Sequence, residues 1–263
     1  MIHILVIAGS DSCGGAGIQA DVKTSARLGA HALTAVTAIT AQNSLGITAI
    51  HKVPVRFISK QVEAVVDDLM PDAVKIGMLY TAASVREVAR LLKKHTLQHV
   101  VVDPVFRAST GMKLLETEAI SVMKDVLFPL ASVVTPNLDE AGSLAGKKIK
   151  GMKEMAKAAK VIKQLGPDVV ITGGHFKDKC VDLLFDGKDI HQFWGSKIDT
   201  EHTHGSGCVF STALAVFLAD GKSLVKATKM AHDFTRRAII NSYACGRGAG
   251  PVQVGCGFDG YLS

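Results

Sequence analysis

Short apolar runs alternate with longer helical patterns along the chain. Runs rich in Val, Ile and Leu predict strands at 2–9, 33–40, 48–54, 73–77, 99–104, 132–137, 168–174, 180–186 and 190–195. Apolar residues at helical spacing predict helices at 16–29, 56–69, 82–94, 116–127, 138–145, 151–165, 206–219 and 222–242. This alternation predicts the α/β class, with a mostly parallel sheet and helices on both of its faces.

One segment departs from this alternation. The sequence "CVDLLFDGKDIHQFW" (180–194) contains two predicted strands on either side of Asp186 and Gly187, a dipeptide typical of hairpin turns. We therefore expect an antiparallel hairpin at one edge of the sheet. No internal repeat, low-complexity tract or linker interrupts the 263 residues, so we expect one domain over 1–263.

Composition and charge narrow the possible function classes. The chain has 48% hydrophobic and 21% charged residues, as ordinary globular enzymes do, and a formal net charge of +6. Much of the positive excess lies in 146–163, where the lysines fall opposite Met155, Ala159 and Ile162 on a predicted helix. This pattern is typical of a solvated amphipathic helix. Because aromatic residues are only 5%, few rings could stack on bases, and we expect no nucleic-acid partner.

Targeting signals and cysteine usage indicate the compartment. The N-terminal "MIHILVIAGS" has no basic region and reaches glycine too early for a signal peptide. The longest apolar run, 208–219, is too short to span a bilayer, so we expect no membrane interaction. The five cysteines are scattered, odd in number and form no C-x-x-C pair, which favours a reducing cytoplasm.

Glycine and polar residues cluster just after the predicted strands. These segments are "AGSDSCGGAGIQAD" (8–21), "AQNSLG" (41–46), "GML" (77–79), "DPVFRASTG" (103–111), "TPNLDEA" (135–141) and "TGGH" (172–175). Ligands of parallel α/β sheets bind outside the carboxyl ends of the strands. The position of these segments therefore favours an enzyme over an interaction module.

The segment "HTHGSGCVFSTALAVFLA" (202–219) runs from a glycine-rich turn into an apolar helix. Backbone amides of Gly205, Ser206 and Gly207, with the positive end of the helix dipole, could form an anion hole for a phosphoryl group. The same field predicts a lowered pKa for the Cys208 thiol. Two alternatives stay open here: a buried cysteine that begins a core helix, and a cysteine hydrolase activated by His204.

The other candidates are individually weaker. The loop "GSDSCGGAGIQAD" (9–21) lacks the Gly-Lys-Ser/Thr of a P-loop, and tight-turn geometry alone could explain its glycines. Gln42 could pair with the ring nitrogen and amine of an aminopyrimidine, or cap backbone. Asp103 and Glu140 suggest a hydrated Mg²⁺ shared with nucleotide phosphates, although Glu140 could equally satisfy a helix N-terminus.

Together, these segments resemble one known family. "IAGSDSCGGAGIQADVKT" (7–24), "TAVTAITAQN" (34–43), "VKIGML" (74–79), "VVDPV" (101–105), "VTPNLDEA" (134–141), "TGGH" (172–175) and "THGSGC" (203–208) follow in order along nearly the whole chain. They are similar to the hydroxymethylpyrimidine/phosphomethylpyrimidine kinases of thiamine biosynthesis, in the ribokinase superfamily. The resemblance implies a ribokinase-like fold, ATP and Mg²⁺ as cofactors, a small-molecule substrate and a homodimer.

The implied reaction is transfer of the γ-phosphoryl of ATP to 4-amino-5-hydroxymethyl-2-methylpyrimidine and then to its monophosphate. Pyridoxal kinase on the same scaffold is the alternative. The resemblance implies substrate contacts from Gly9, Asp21, Gln42, Met78 and Val105. It also implies ATP contacts from Thr135, Asn137 and Thr172, a magnesium shell from Asp103 and Glu140, and catalytic roles for Gly205, Ser206, Gly207 and Cys208.

The chain departs from the family pattern in two places that bear on the site. Thr172 stands where the family commonly has a lysine, so the positive charge must come from elsewhere, with Lys177 and Arg107 as candidates. Phe106, Arg107 and Ala108 replace the usual Met-Val-Ala, which changes the expected lid. The segment 106–111 lacks the second cysteine that some related pyridoxal kinases carry, and this favours the pyrimidine alcohol.

Overall fold

The computed structural model describes residues 1–108, 111–176 and 179–255. Lys177, one of the two cations considered above, lies outside the described residues. The strands are β1 His3–Asp11, β2 His31–Asn43, β3 Gly46–Lys52, β4 Ala73–Ile76, β5 Val100–Val102, β6 Val133–Val134, β7 Asp168–Phe176, β8 Lys179–Phe185 and β9 Ile190–Ser196. Each predicted strand is present, and the boundaries shift by a few residues.

The described strands form one sheet in the order β3-β2-β1-β4-β5-β6-β7-β8-β9. Six neighbouring strands in this order, β2, β1, β4, β5, β6 and β7, are parallel, while β8 and β9 continue antiparallel. The predicted fold class is therefore confirmed, including the edge hairpin. Because βαβ connections bring the carboxyl ends of parallel strands to one edge, the six central strands all end on the same side.

The opposite edge holds a second hairpin, which the sequence analysis did not predict. β2 continues to Asn43 and pairs antiparallel with β3, so Gln42 lies in a strand instead of a loop. The Asn43 side-chain oxygen accepts hydrogen bonds from the amides of Leu45 (2.9 Å) and Gly46 (3.3 Å). This local side-chain turn reverses the chain without the Asn-Gly or Asp-Gly signal that marks the other hairpin.

The helices are α1 Gly17–Arg27, α2 Val55–Val66, α3 Ala82–Lys94, α4 Thr117–Val122, α5 Leu138–Ala145, α6 Met152–Lys163, α7 Ser206–Ala219 and α8 Leu224–Ile240. The predicted helix 116–127 is shorter as an α-helix, because a π-helical turn follows at Met123–Leu127. A 3₁₀ turn with Pro129 then ends the segment, as proline cannot donate the next helical hydrogen bond.

Two apolar layers enclose the sheet. Alternate residues of β1 face opposite ways: Leu5 and Ile7 pack with α2, α3, α5 and α6, whereas Ile4, Val6 and Ala8 pack with α1, α7 and α8. The lysine-rich helix α6 buries Met155, Ala159 and Ile162, as its pattern predicted. Among the described residues, no helix is both long and apolar enough to cross a membrane.

Candidate active site

A cavity of about 620 Å³ opens at the carboxyl edge of the parallel strands. It receives residues from the loops after six strands and from the start of α7. The predicted site residues that line it are Gly9, Gln42, Met78, Asp103, Val105, Thr135, Asn137, Glu140, Thr172, Gly205, Ser206, Gly207 and Cys208. Of the residues predicted for the site, Asp21 is the one that the cavity wall does not include.

The first turn of α7 supplies two amides to the cavity, just after the Gly205 cap. Gly205 caps the helix with φ of +84°, and a side chain there would collide with the carbonyl oxygen of Gly15, so the position requires glycine. The Ser206 amide donates to the Thr203 carbonyl at 3.1 Å, which removes it from the predicted anion hole. In the described structure, the amides of Gly207 and Cys208 donate to no protein group, and they remain for an anion.

The Cys208 thiol does not have the lowered pKa that its place in the helix predicts. Desolvation by burial outweighs the charge of Lys75, and it raises the pKa of Cys208 to about 12. Burial raises the thiol pKa, whereas the helix dipole and the Lys75 cation lower it, and here burial has the larger effect. The residue still lines the cavity, so the thiol at neutral pH is protonated and faces the site.

Asp21 forms a buried ion pair below the cavity. Its two carboxylate oxygens accept from the Lys75 ammonium at 2.8 and 2.9 Å, and Oδ1 also accepts from Thr212 Oγ1 at 2.7 Å. Both charged side chains have no exposed surface. Asp21 is therefore a partner of Lys75, which corrects its predicted place against the substrate.

Lys75 is the functional candidate that the sequence analysis missed. It lines the cavity from the middle of β4, where a lysine interrupts a fully buried four-residue strand. That interruption was the available signal, because a charge in a buried strand requires a partner. Burial disfavours the ammonium, but the Asp21 carboxylate raises the pKa of Lys75 above its ordinary value. The cavity floor therefore carries the Lys75 ammonium, which the Asp21 carboxylate balances.

Two buried carboxyl groups, those of Asp103 and Glu140, lie on the side of the cavity that holds the predicted ATP contacts. Asp103 accepts from Ser211 Oγ at 3.1 Å, and burial raises its pKa above the ordinary range. Glu140 accepts from the amides of Phe106 (3.1 Å) and Asn137 (2.9 Å). Burial, and next the charge of Asp103, raise the pKa of Glu140 to about 8. Two buried carboxyl groups, of which Asp103 disfavours the ionised form of Glu140, fit a divalent cation that would neutralise both.

Asn137 and Glu140 also form a capping box at the start of α5. The Asn137 side chain accepts from the Glu140 amide at 2.9 Å, and Glu140 accepts in return from the Asn137 amide. Glu140 thus caps α5, as one interpretation of the sequence predicted, and it also lines the cavity. In the part of the chain that is described, no three Asp, Glu, His or Cys side chains gather around one point.

Thr135, which directly follows β6, has an unsatisfied hydroxyl. The residue is 4% exposed, and its Oγ1 has no hydrogen-bond partner within the described structure. Thr172 lies within β7 on the neighbouring wall, and its amide donates to the Pro136 carbonyl at 3.0 Å. A buried hydroxyl without a partner, lining a cavity, indicates a polar ligand at this wall.

The glycine-rich loop after β1 does not bind an external anion, because Asp11 already occupies its amides. The Asp11 carboxylate accepts from the amides of Cys13 (2.8 Å), Gly15 (3.1 Å) and Ala16 (2.9 Å), and from His204 Nε2 (2.9 Å). Burial opposes ionisation, but the His204 and amide hydrogen bonds keep the pKa of Asp11 below its usual value. His204 is thereby paired with Asp11, and among the described contacts it has none with Cys208, against the hydrolase interpretation.

The remaining wall is formed by the candidates for the substrate ring. Met78 is 8% exposed, and its sulfur would lie 2.8 Å from a Cβ at Gly9, so glycine leaves room for the thioether. The Gln42 amide nitrogen is 3.4 Å from His204 Nε2. Val105 stands beside them on the cavity wall. An apolar surface with one side-chain amide suits a small heteroaromatic ring.

Arg107 is exposed and donates from Nη1 to the Gly111 carbonyl at 3.1 Å. The contact ties its side chain to its own loop. Two residues of the predicted lid segment 106–111, Ser109 and Thr110, lie outside the described residues.

Comparison with known proteins identifies the family. The phosphomethylpyrimidine kinase model matches residues 11–253. The hydroxymethylpyrimidine/phosphomethylpyrimidine kinase of Bacillus subtilis is 43% identical over 252 residues, covering 95% of this chain and 93% of that protein. The ADP complex of Bacillus subtilis pyridoxal kinase has a TM-score of 0.90 at 39% identity, covering 96% and 97% of the two chains. Phosphomethylpyrimidine kinase from Clostridium difficile 630 has a TM-score of 0.81 at 38% identity, covering 91% and 100%.

The fold, the cavity and these relatives define a phosphotransferase with the ribokinase-like architecture, which confirms the resemblance drawn from the sequence. The chain belongs to the phosphomethylpyrimidine kinase family.

Replacing Lys75 by methionine should destabilise the fold by about 3–5 kcal/mol, because the Asp21 carboxyl is left buried without its cation. The double variant Asp21→Leu with Lys75→Met should recover most of this loss in urea denaturation. Lys52→Met is the matched control: Lys52 pairs with Glu116 at 2.9 Å on the surface, and its loss should change the free energy of unfolding far less. A Lys75→Met variant as stable as wild type would contradict this account of the pair.

The raised pKa of Glu140 predicts a loss of stability with increasing pH. Between the unfolded value, about 4.5, and the folded value, about 8, the native state holds a proton that the unfolded state has released. Stability should therefore fall as pH rises through this window, by up to about 1.4 kcal/mol per pH unit. Unfolding curves of wild type and Glu140→Gln from pH 5 to 9 in metal-free buffer measure it. Glu140→Gln should lack this part of the decrease in unfolding free energy with pH. If the unfolding free energies of wild type and variant changed equally with pH, the raised pKa of Glu140 would be contradicted.

Proposed function

We propose that this protein transfers the γ-phosphoryl group of ATP to the hydroxymethyl oxygen of 4-amino-5-hydroxymethyl-2-methylpyrimidine, and then a second phosphoryl to the product. The observation that carries the proposal is the convergence of a two-amide anion hole, a buried cation and a carboxylate pair on one cavity. Membership of the phosphomethylpyrimidine kinase family supports the substrate.

The two ends of the cavity suit the two substrates. Gly9, Gln42, Met78 and Val105 would bind the pyrimidine, with Gln42 facing its amino edge. Thr135, Asn137 and Thr172 would bind the nucleotide phosphates. The unsatisfied Thr135 hydroxyl and the ADP bound by the related pyridoxal kinase support this assignment.

Asp103 and Glu140 would hold Mg²⁺ through oxygen contacts, part of them by water, as magnesium sites with few protein ligands do. When bound, the cation supplies neutralisation of phosphate charge and alignment of the transferred group. The proton on Glu140 would be displaced on binding, since a carboxylate must be ionised to hold a cation. Lys75 adds a fixed positive charge on the cavity floor.

In the transfer step, the hydroxymethyl oxygen forms a bond to the γ-phosphorus while the bond to the β–γ bridging oxygen breaks. The bridging oxygen leaves with the electron pair on ADP, and the amides of Gly207 and Cys208 stabilise charge on the transferring group. The alcohol must also lose its proton. We propose that Cys208 accepts it as thiolate, a form that is rare at neutral pH because the thiol pKa is about 12. Positioning and charge neutralisation then supply most of the rate enhancement.

Pyridoxal kinase activity is the second candidate. The TM-score of 0.90 with Bacillus subtilis pyridoxal kinase exceeds that with the Clostridium difficile phosphomethylpyrimidine kinase, which favours it. The family model and the absence of a cysteine from 106–111 favour the pyrimidine.

We further propose a homodimer in the cytoplasm, without a nucleic-acid partner, built from a single kinase domain over 1–263. The cysteines of the described chain are free, which supports a reducing compartment. The resemblance to the family supports the dimer, and light scattering on the purified protein measures it.

The proposal is tested by ATP consumption with the pyrimidine alcohol, its monophosphate and pyridoxal in parallel. We expect turnover with the first two and weak or no turnover with pyridoxal. Turnover with pyridoxal alone would support pyridoxal kinase in place of the pyrimidine kinase. If none of the three substrates led to ADP release, the kinase proposal would be refuted.

Cys208→Ala should lower kcat with the pyrimidine alcohol by about 10²-fold at pH 7, within the range for losing an acid–base group. Because the thiolate fraction rises tenfold per pH unit well below the thiol pKa, the ratio of wild-type to variant kcat should grow from pH 7 to 9. Stopped assays across this range measure it, with Cys180→Ala as the control for loss of a cysteine that does not line the cavity. A ratio near one at every pH would assign Cys208 to packing.

A further inference from the structure

A buried polar pair lies behind the cavity, on the α8 side of the sheet. His232 of α8 is 2% exposed and Asp182 of β8 is 9% exposed. His232 Nδ1 is 2.7 Å from Asp182 Oδ2. An ionised carboxylate only accepts, so Nδ1 carries the proton. Neither residue lines the cavity.

The second oxygen of Asp182 accepts from Gly173, the neighbour of the cavity-lining residue Thr172. Asp182 Oδ1 accepts from the Gly173 amide at 2.9 Å. The register of β7 and β8 shifts between Ile171 and Gly174, so Thr172 and Gly173 together face the single residue Asp182. This arrangement is a β-bulge, with Gly173 at φ of +73°. The bulge leaves an amide without a ladder partner, and the Asp182 carboxylate satisfies it.

The bulge sets the position of Thr172. Thr172 lines the cavity and forms a parallel bridge with Asn137, next to Thr135 on the same wall. A regular β7 would place alternate residues on fixed faces, whereas the extra residue redirects the chain toward the end of β6. The geometry of this wall therefore depends on the hydrogen bond from Gly173 to Asp182.

His232 has no other polar role that the structure shows. Its Nε2 lacks a hydrogen-bond partner among the described residues, and its ring lies 6.3 Å from that of Phe193. Apolar residues in place of such a buried polar pair are often neutral or stabilising. The pair is thus better explained by what it positions than by the stability it adds.

We propose that Asp182, held by His232, is a positioning residue that fixes the Thr172–Gly173 bulge in the geometry required for nucleotide binding. The inference rests on the proposed function, since it assigns the Thr135–Thr172 wall to the nucleotide. Under this proposal, Asp182 and His232 contact no ligand but control the geometry of the nucleotide end of the cavity. They do not affect the pyrimidine end.

The test is ADP affinity by titration calorimetry, together with KM for ATP and for the pyrimidine alcohol. Asp182→Val removes the acceptor and should weaken ADP binding and raise KM for ATP by about 10-fold or more, as small displacements in a binding site do. KM for the alcohol should stay within about 2-fold, because that end has separate residues. Asp182→Asn retains an acceptor for Gly173, and His232 can change tautomer to match, so it should stay within about 3-fold of wild type.

Thr228→Val is the matched control. Thr228 is fully buried on α8, one helical turn from His232, and donates to the Leu224 carbonyl at 2.7 Å. It should lower the melting temperature and leave both KM values unchanged. If Asp182→Val does not fold, His232→Leu replaces it, with hydrogen exchange of the Gly173 amide as the readout. Exchange should quicken about 10-fold or more there, and not at Val170 in the same strand.

Several results would overturn the proposal. One is an Asp182→Val variant that binds ADP like wild type, and another is one in which both KM values rise equally. An unchanged Gly173 exchange rate in His232→Leu would do the same. A wild-type protein that binds no ADP would instead refute the proposed function, and this inference with it.

Discussion

The ion pair between Lys75 and Asp21 is the constraint on which the site depends. It joins β4 to α1 and, through Thr212, to α7, so three elements that form the cavity floor meet at one buried charge. A pair without solvent must keep close to one geometry, since each ion needs the other. Such a pair fixes the start of α7 relative to the strand ends more narrowly than apolar contacts can, because apolar contacts are non-directional.

The two glycine-rich turns of the site differ in what they do with their amides. The loop after β1 directs its amides to its own carboxylate, Asp11, and is complete without ligand. The glycine-rich start of α7 leaves the two amides of Gly207 and Cys208 unpaired at the cavity. Glycine content is similar in both, so the presence of an internal anion is what separates a structural loop from an anion site.

Much of the fold followed from the sequence, because strand and helix patterns alternate clearly and the Asp186–Gly187 turn is a strong signal. The hairpin after Asn43 was missed, since its turn is made by one side chain. Most of the cavity lining was predicted from loops after strands. Asp21 was misplaced because spacing does not show which way a helix residue faces before Lys75 is known to be its partner. The pKa of Cys208 was wrong in direction, because burial cannot be weighed from the sequence. The Ser206 amide was misassigned since the Thr203 carbonyl competes for it.

The contact between Gly205 and the Gly15 carbonyl oxygen limits how such a protein can diversify. Because there is no space for even one methyl group, the turn at Gly205 and the loop at Gly15 pack as one rigid unit. A change in the sequence of one therefore requires a matching change in the other. New substrate preferences must then arise in the segments 105–108 and 111–115, which meet the cavity through replaceable side chains. Chemistry and selectivity are in this way assigned to separate parts of the polypeptide.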